Sequence, residues 1–180
     1  MDDVKKSITN YLKETIRTIP DFPKEGIQFK DITTLLKDPD ALQLTSELLK
    51  RPFLNINIDA VVGLESRGFL FGPRLAQDLN AGFVPIRKPG KLPATKVSKT
   101  YELEYGGDTL EMHTDAISKG DKIIIHDDLI ATGGSAQAAT DMITELGGNV
   151  VGYSFIIALK DLEGIQQLHS GTTVDVLINI

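Results

Sequence analysis

"IIIHDDLIATGGSAQAA" spans residues 123–139. Three isoleucines read as a buried strand ending at His126. Two carboxylates follow, Asp127 and Asp128, and then a small-residue turn, Ala131-Thr132-Gly133-Gly134-Ser135. The Ala-rich continuation reads as a helix starting near Ser135. In open parallel sheets, ligands sit beyond the carboxyl ends of the strands. The backbone N–H groups of the turn and the helix N-terminus suit an anion, with Thr132 and Ser135 adding hydroxyl donors. No lysine precedes the Ser/Thr, and there is no G-x-G-x-x-G, so neither a Walker-type triphosphate site nor a dinucleotide site fits. Two carboxylates beside an anion cradle make sense for a ligand with a phosphate at one end and hydroxyls in its middle. Carboxylates accept hydrogen bonds from sugar hydroxyls and favour Mg²⁺ nearby. A phosphorylated ribose meets both needs.

The rest of the chain supplies strand–helix alternation around that stretch. Val4, Ile8, Leu12, Ile16 and Ile19 recur at helical spacing up to Pro20. PDFPKEGIQFKDIT (20–33) is loop-like, and Asp38 caps a helix beginning at Pro39. AVVGL (60–64), GFVPIR (82–87), KIIIHD (122–127) and VVGYSFIIAL (150–159) read as strands. GFLFGPRLAQDL (68–79) and AQAATDMITELG (136–147) read as helices between them, LEMHTDA (110–116) as an edge strand and TVDVLINI (173–180) as the last strand. The expectation is one α/β domain over 1–180 with a mostly parallel central sheet flanked by helices. KPGKLPATKVSKTYELEYGGD (88–108) carries little apolar content and reads as a long loop, either an ordinary solvated one or a functional lid.

Composition bounds the function. A chain of 180 residues fits a single domain without covalent staples. It has no cysteine, and His113, His126 and His169 show no metal-ligand spacing. With 19 basic and 25 acidic residues the net charge is −6, which argues against a nucleic-acid surface. No apolar run has membrane-span length, and the N-terminus lacks a signal-peptide core, so a soluble cytoplasmic protein with no membrane partner is expected.

"IIIHDDLIATGGS" resembles the phosphoribosyl-pyrophosphate (PRPP) signature of the type I phosphoribosyltransferases. "PDFPKEGIQFKDIT", "GLESRGFLFGP", "IRKPGKLP" and "YELEYG" resemble, in that order, the adenine phosphoribosyltransferases. His126 departs from the aliphatic residue more usual in that family, and Ser135 stands for a common threonine. The resemblance implies the type I phosphoribosyltransferase fold, with a small N-terminal hood (1–35) and a flexible lid loop (88–108). It also implies a purine-salvage reaction: adenine plus PRPP gives AMP and pyrophosphate, with Mg²⁺, in a homodimer.

The same resemblance assigns roles. Asp127 and Asp128 hold the ribose hydroxyls and the shell of a Mg²⁺ bound mainly by PRPP. Residues 131–135 (Ala131, Thr132, Gly133, Gly134, Ser135) hold the 5′-phosphate. Ser66 and Arg67 take the pyrophosphate, and Arg87, Lys88 and Lys91 neutralise it, partly across a subunit interface. Glu104 is the proposed acid/base, with Arg67 also catalytic, and Tyr105 positions the lid. Gln28 and Lys30 read the purine edge through their backbone, Phe29 stacks on the ring and Leu159 covers its other face. A cis peptide is implied between Glu65 and Ser66. The PRPP half alone leaves two alternatives: an enzyme for hypoxanthine, guanine or xanthine, and a PRPP-sensing regulator that binds nucleic acid.

Overall fold

A computed structural model of the chain describes residues 2–103 and 106–180. These fall into two compact units, Met1–Leu48 and Leu49–Ile180. Among the described residues, no helix is long and apolar enough to cross a membrane.

The first unit contains helix α1 (Asp2–Thr15), strands β1 (Arg17–Pro20) and β2 (Gln28–Asp31), the short helix α2 (Thr33–Lys37) and most of α3 (Pro39–Lys50). The helical periodicity through Ile16 and Ile19 overshoots: the chain leaves the helix at Thr15 and enters β1, antiparallel to β2. Asp31 favours that exchange. Its carboxylate accepts from Arg17 Nε at 3.1 Å, the Thr33 N–H at 2.9 Å and the Thr33 hydroxyl at 2.9 Å. Arg17 foremost holds its pKa down at about 2. Asp38 caps α3 as expected, accepting from the N–H groups of Asp40 and Ala41, each at 3.0 Å.

The second unit is built on a five-stranded parallel sheet of order β4-β3-β7-β8-β9. Its strands are β3 (Ala60–Leu64), β4 (Gly82–Ile86), β7 (Lys122–Ile130), β8 (Asn149–Ala158) and β9 (Thr173–Asn179). Helix α4 (Gly68–Asp78) links β3 to β4, and α5 (Gly134–Glu145) links β7 to β8. The central strands are wholly apolar where both faces are covered: every residue of β3 is buried, as are Ile123, Ile124 and Ile125 of β7. β3 and β7 are neighbours, yet the chain leaves β3 towards one sheet edge and β7 towards the other. Their carboxyl ends therefore border a topological switch point, where the diverging loops open a crevice.

Two sequence expectations change here. The strand expected to end at His126 runs on to Ile130, so Asp127 and Asp128 lie within β7 rather than in a loop, and Asp127 pairs in register with Phe155. Residues 88–108 are not structureless, because β5 (Lys96–Leu103) and β6 (Gly106–His113) form an antiparallel hairpin. Val97 and Tyr101 on one strand, with Leu110 and Met112 on the other, pack on the main core. The two residues between the strands, Glu104 and Tyr105, lie outside the described residues.

Candidate active site

The crevice at the switch point is lined from two sides. The β3 side supplies a tight turn, with the Glu65–Ser66 peptide cis and Arg67 leading into α4. The next residue, Gly68, lies so close to β7 that a Cβ there would sit 2.7 Å from the His126 carbonyl and 3.3 Å from Asp127 Oδ1. Only glycine lets the start of α4 approach the carboxylate pair this closely. Arg67 reaches across, its Nε 3.1 Å from Asp128 Oδ2.

On the β7 side, Asp127 Oδ1 accepts the Asp128 N–H at 2.9 Å. Asp128 is buried. Burial, followed by the neighbouring charge of Asp128, pushes the Asp127 carboxyl well up. Burial also raises Asp128, against the pull of Arg67. A half-buried carboxylate and a buried one are thus held side by side against mutual repulsion. His126 is fully buried and its Nδ1 lies 3.0 Å from the Ser154 carbonyl, which makes Nδ1–H the donor. Burial lowers its pKa to about 4, so the ring is neutral and acts as packing.

The turn after β7 reaches α5 through Gly133, whose φ of +85° requires glycine. No side chain caps the helix. Among the described residues the Thr132 and Ser135 hydroxyls have no hydrogen-bond partner. A turn with no side-chain cap and two unpartnered hydroxyls carries the kind of donors an anion uses.

Arg87, Lys88 and Lys91 are gathered by Glu65, an acid whose place in the sequence pattern signals no such role. Glu65 Oε2 accepts from Arg87 Nε at 3.1 Å and from the Lys88 N–H at 2.6 Å, while Oε1 takes Lys91 Nζ at 2.6 Å. Burial would raise its pKa, but Lys91, the Lys88 N–H and Arg87 outweigh it and hold the carboxyl at about 2. The Arg87 guanidinium also lies 5.8 Å from the centre of the Phe69 ring, and Lys88 pairs with Asp108 of the hairpin. A bonded Glu65 stabilises the fold above its ordinary pKa of 4.5, and that contribution is lost as pH falls towards about 2. Thermal melts at pH 7 and pH 3 should therefore show a smaller drop in Tm for Glu65→Gln than for wild type. An equal drop would mean that Glu65 carries no such linkage.

Of the residues expected at the purine, Leu159 lies just beyond β8, its N–H donating to the Ile130 carbonyl at 3.0 Å. It lines a cavity of about 190 Å³ with Ala158, Lys160 and Gly164. In the first unit, Gln28, Phe29 and Lys30 form β2, with Gln28 exposed and Phe29 half-buried. Phe29 meets Phe22 edge-on at 5.1 Å between ring centres.

Known proteins resemble this chain in sequence and in fold. The sequence pattern of the phosphoribosyl transferase domain matches residues 31–164, which include both sides of the crevice. The adenine phosphoribosyltransferase of Picosynechococcus sp. is 57% identical over 87% of this chain and 92% of its own length. That of Escherichia coli O157:H7 is 54% identical over 88% of this chain and 86% of its own. The crystal structure of the Rhodothermus marinus adenine phosphoribosyltransferase superposes with a TM-score of 0.93 at 50% identity, covering 97% of this chain and 99% of that one. The Saccharomyces cerevisiae enzyme, solved in complex with adenine, gives 0.87 at 44% identity, covering 96% and 99%. Identity of this order over nearly the whole chain goes beyond a shared architecture, and the chain belongs to the adenine phosphoribosyltransferase family.

Proposed function

We propose that the protein transfers the 5-phosphoribosyl group of PRPP to adenine, giving AMP and pyrophosphate, as a Mg²⁺-dependent cytoplasmic homodimer in purine salvage. The observation that carries this reading is the crevice itself. A carboxylate pair, an uncapped helix N-terminus and Arg67 meet at the switch point between β3 and β7.

Each group has a task set by its chemistry. The turn 131–135 takes the 5′-phosphate on backbone N–H groups and the Thr132 and Ser135 hydroxyls. Asp127 and Asp128 accept the ribose hydroxyls. Their acidity also fits Mg²⁺, which takes one or two carboxylates together with substrate phosphates. When bound, that ion offsets the charge of the leaving pyrophosphate. Ser66, Arg67, Arg87, Lys88 and Lys91 receive the pyrophosphate, the last four as cations. Displacing it builds oxocarbenium-like character at the ribose carbon. Water must be kept from that centre, and the hairpin region that includes Glu104 and Tyr105 is the candidate lid. Glu104 serves the purine nitrogen as acid/base. The candidates for the purine are Gln28, Phe29 and Lys30, with Leu159.

The test is AMP formation from adenine, PRPP and Mg²⁺, with guanine, hypoxanthine and xanthine as competing bases. Turnover with adenine is the expected result; turnover only with another base would reassign the enzyme.

The carboxylate pair gives a second expectation with two opposite signs. Asp127→Asn removes repulsion from a crowded pair and should leave the protein as stable as wild type or more so, by Tm. It should also weaken PRPP use, because a charge-assisted hydrogen bond is worth about 1.5–3 kcal/mol, or roughly 10–150-fold in kcat/KM. Asp128→Asn should weaken PRPP use similarly, without the gain in Tm, because it loses its charge pairing with Arg67. Wild-type kinetics in both variants with PRPP varied would remove the pair from the site.

A further inference from the structure

We infer that Gly164 is a positioning residue for the phosphate turn, holding residues 131–133 by direct backbone contact. This rests on the reading of 131–135 as the phosphate site. A Cβ on Gly164 would lie 2.1 Å from the Ala131 carbonyl oxygen, 2.8 Å from the Gly133 nitrogen and 2.8 Å from the Thr132 carbonyl carbon. The contact is mutual, since a Cβ on Gly133 would lie 2.6 Å from the Gly164 oxygen. Two glycines thus face each other across separate loops, backbone against backbone.

The reason for glycine differs at the two positions. Gly133 has φ +85° and needs glycine for its own conformation as well. Gly164 is not among the residues with positive φ, so its own backbone would accept a side chain. Only its neighbour, the phosphate turn, excludes one.

The segment that carries Gly164 is fixed at both ends. It leaves β8 with the Leu159 N–H bonded to the Ile130 carbonyl at 3.0 Å and the Lys160 N–H bonded to the Ile180 carbonyl at 3.0 Å. It then makes two 3-10 turns, Lys160–Leu162 and Gly164–Gln167, and re-enters the core at Leu168. Glu163, between the turns, takes φ +50° and swings the chain back towards residue 131. A support anchored this way fixes where the N–H groups of the turn point. Donors that are pre-aimed at a phosphate need no reordering when it arrives, and a shift near 1 Å can cost ~10²-fold.

Gly164→Ala should raise the KM for PRPP by ~10-fold or more, with a much smaller change in the KM for adenine. Gly171→Ala is the control. Gly171 has φ +84° and no atom within 4 Å of a Cβ, so alanine strains the backbone there without touching the phosphate turn. It should lower Tm and leave the KM for PRPP unchanged. A wild-type KM for PRPP in Gly164→Ala, or a loss of kcat alone, would overturn the inference. Hydrogen exchange on the wild-type protein covers the case in which Gly164→Ala does not fold. Ribose 5-phosphate should slow amide exchange at 163–166 together with 131–135. Protection confined to 131–135 would also overturn the inference. Protection at neither segment would remove the phosphate site, and this inference would fall with it.

Discussion

Glu104→Gln should lower kcat by ~10²–10⁴-fold, the usual contribution of a positioned general acid or base. The substitution keeps the size and polarity of the side chain and removes its ability to exchange a proton. The groups proposed for PRPP are untouched: the turn before α5, the carboxylates of β7 and the cations gathered by Glu65. The KM for PRPP should therefore move much less than kcat, the signature of an interaction made only in the transition state. Glu104 lies between Leu103 and Gly106, which pair with each other where the β5–β6 hairpin closes. That hairpin packs on the main core of its own unit through Val97, Tyr101, Leu110 and Met112. Turnover of Glu104→Gln at the wild-type rate would end its assignment as acid/base.

What the sequence made legible was the part governed by short-range pattern. The apolar runs of β3 and β7 and the glycine-rich turn before α5 are local signals, and both strands begin at the residues their patterns indicate. The errors share a different cause. The helix was carried past Thr15 because Ile16 and Ile19 continue its period, but β1 exists by pairing with β2 and through Arg17–Asp31, a partner 14 residues away. The strand β7 was ended at His126 because charges normally stop a buried strand. Arg67, more than 60 residues earlier and partly exposed, supplies the opposite charge beside the buried Asp128. The sequence marks the second strand of the hairpin at 110–116, but its polar residues hide β5, although Val97 and Tyr101 fall on one face at a period of two. Lys99 interrupts that face, and it pairs with Asp141 of α5 at 3.3 Å. The roles of Glu65 in collecting cations and of Gly164 in supporting the phosphate turn depend wholly on long-range approach, and no local pattern announces them.

Adenine should be preferred over hypoxanthine by ~10⁴–10⁵-fold in kcat/KM, and the preference should come from backbone polarity. In an extended strand, residues two apart turn their N–H and C=O groups to the same edge. Gln28 and Lys30 therefore share one edge of β2, and Phe29 faces the other way. A Gln28 carbonyl aimed at the purine 6-position accepts from the 6-amino group of adenine. Against the 6-oxo group of hypoxanthine or guanine it sets acceptor against acceptor, a mismatch that costs most once water is excluded. The Lys30 N–H suits N7, which all these purines share. Gln28→Ala and Lys30→Ala keep the backbone and should keep adenine preferred. Phe29→Ala should weaken every purine together, by about 1–3 kcal/mol of lost stacking. The measurement is kcat/KM for adenine and hypoxanthine in the wild type and these three variants. Comparable wild-type use of the two bases would overturn the selection of adenine. A switch of preference in Gln28→Ala or Lys30→Ala would place the selection in side chains instead.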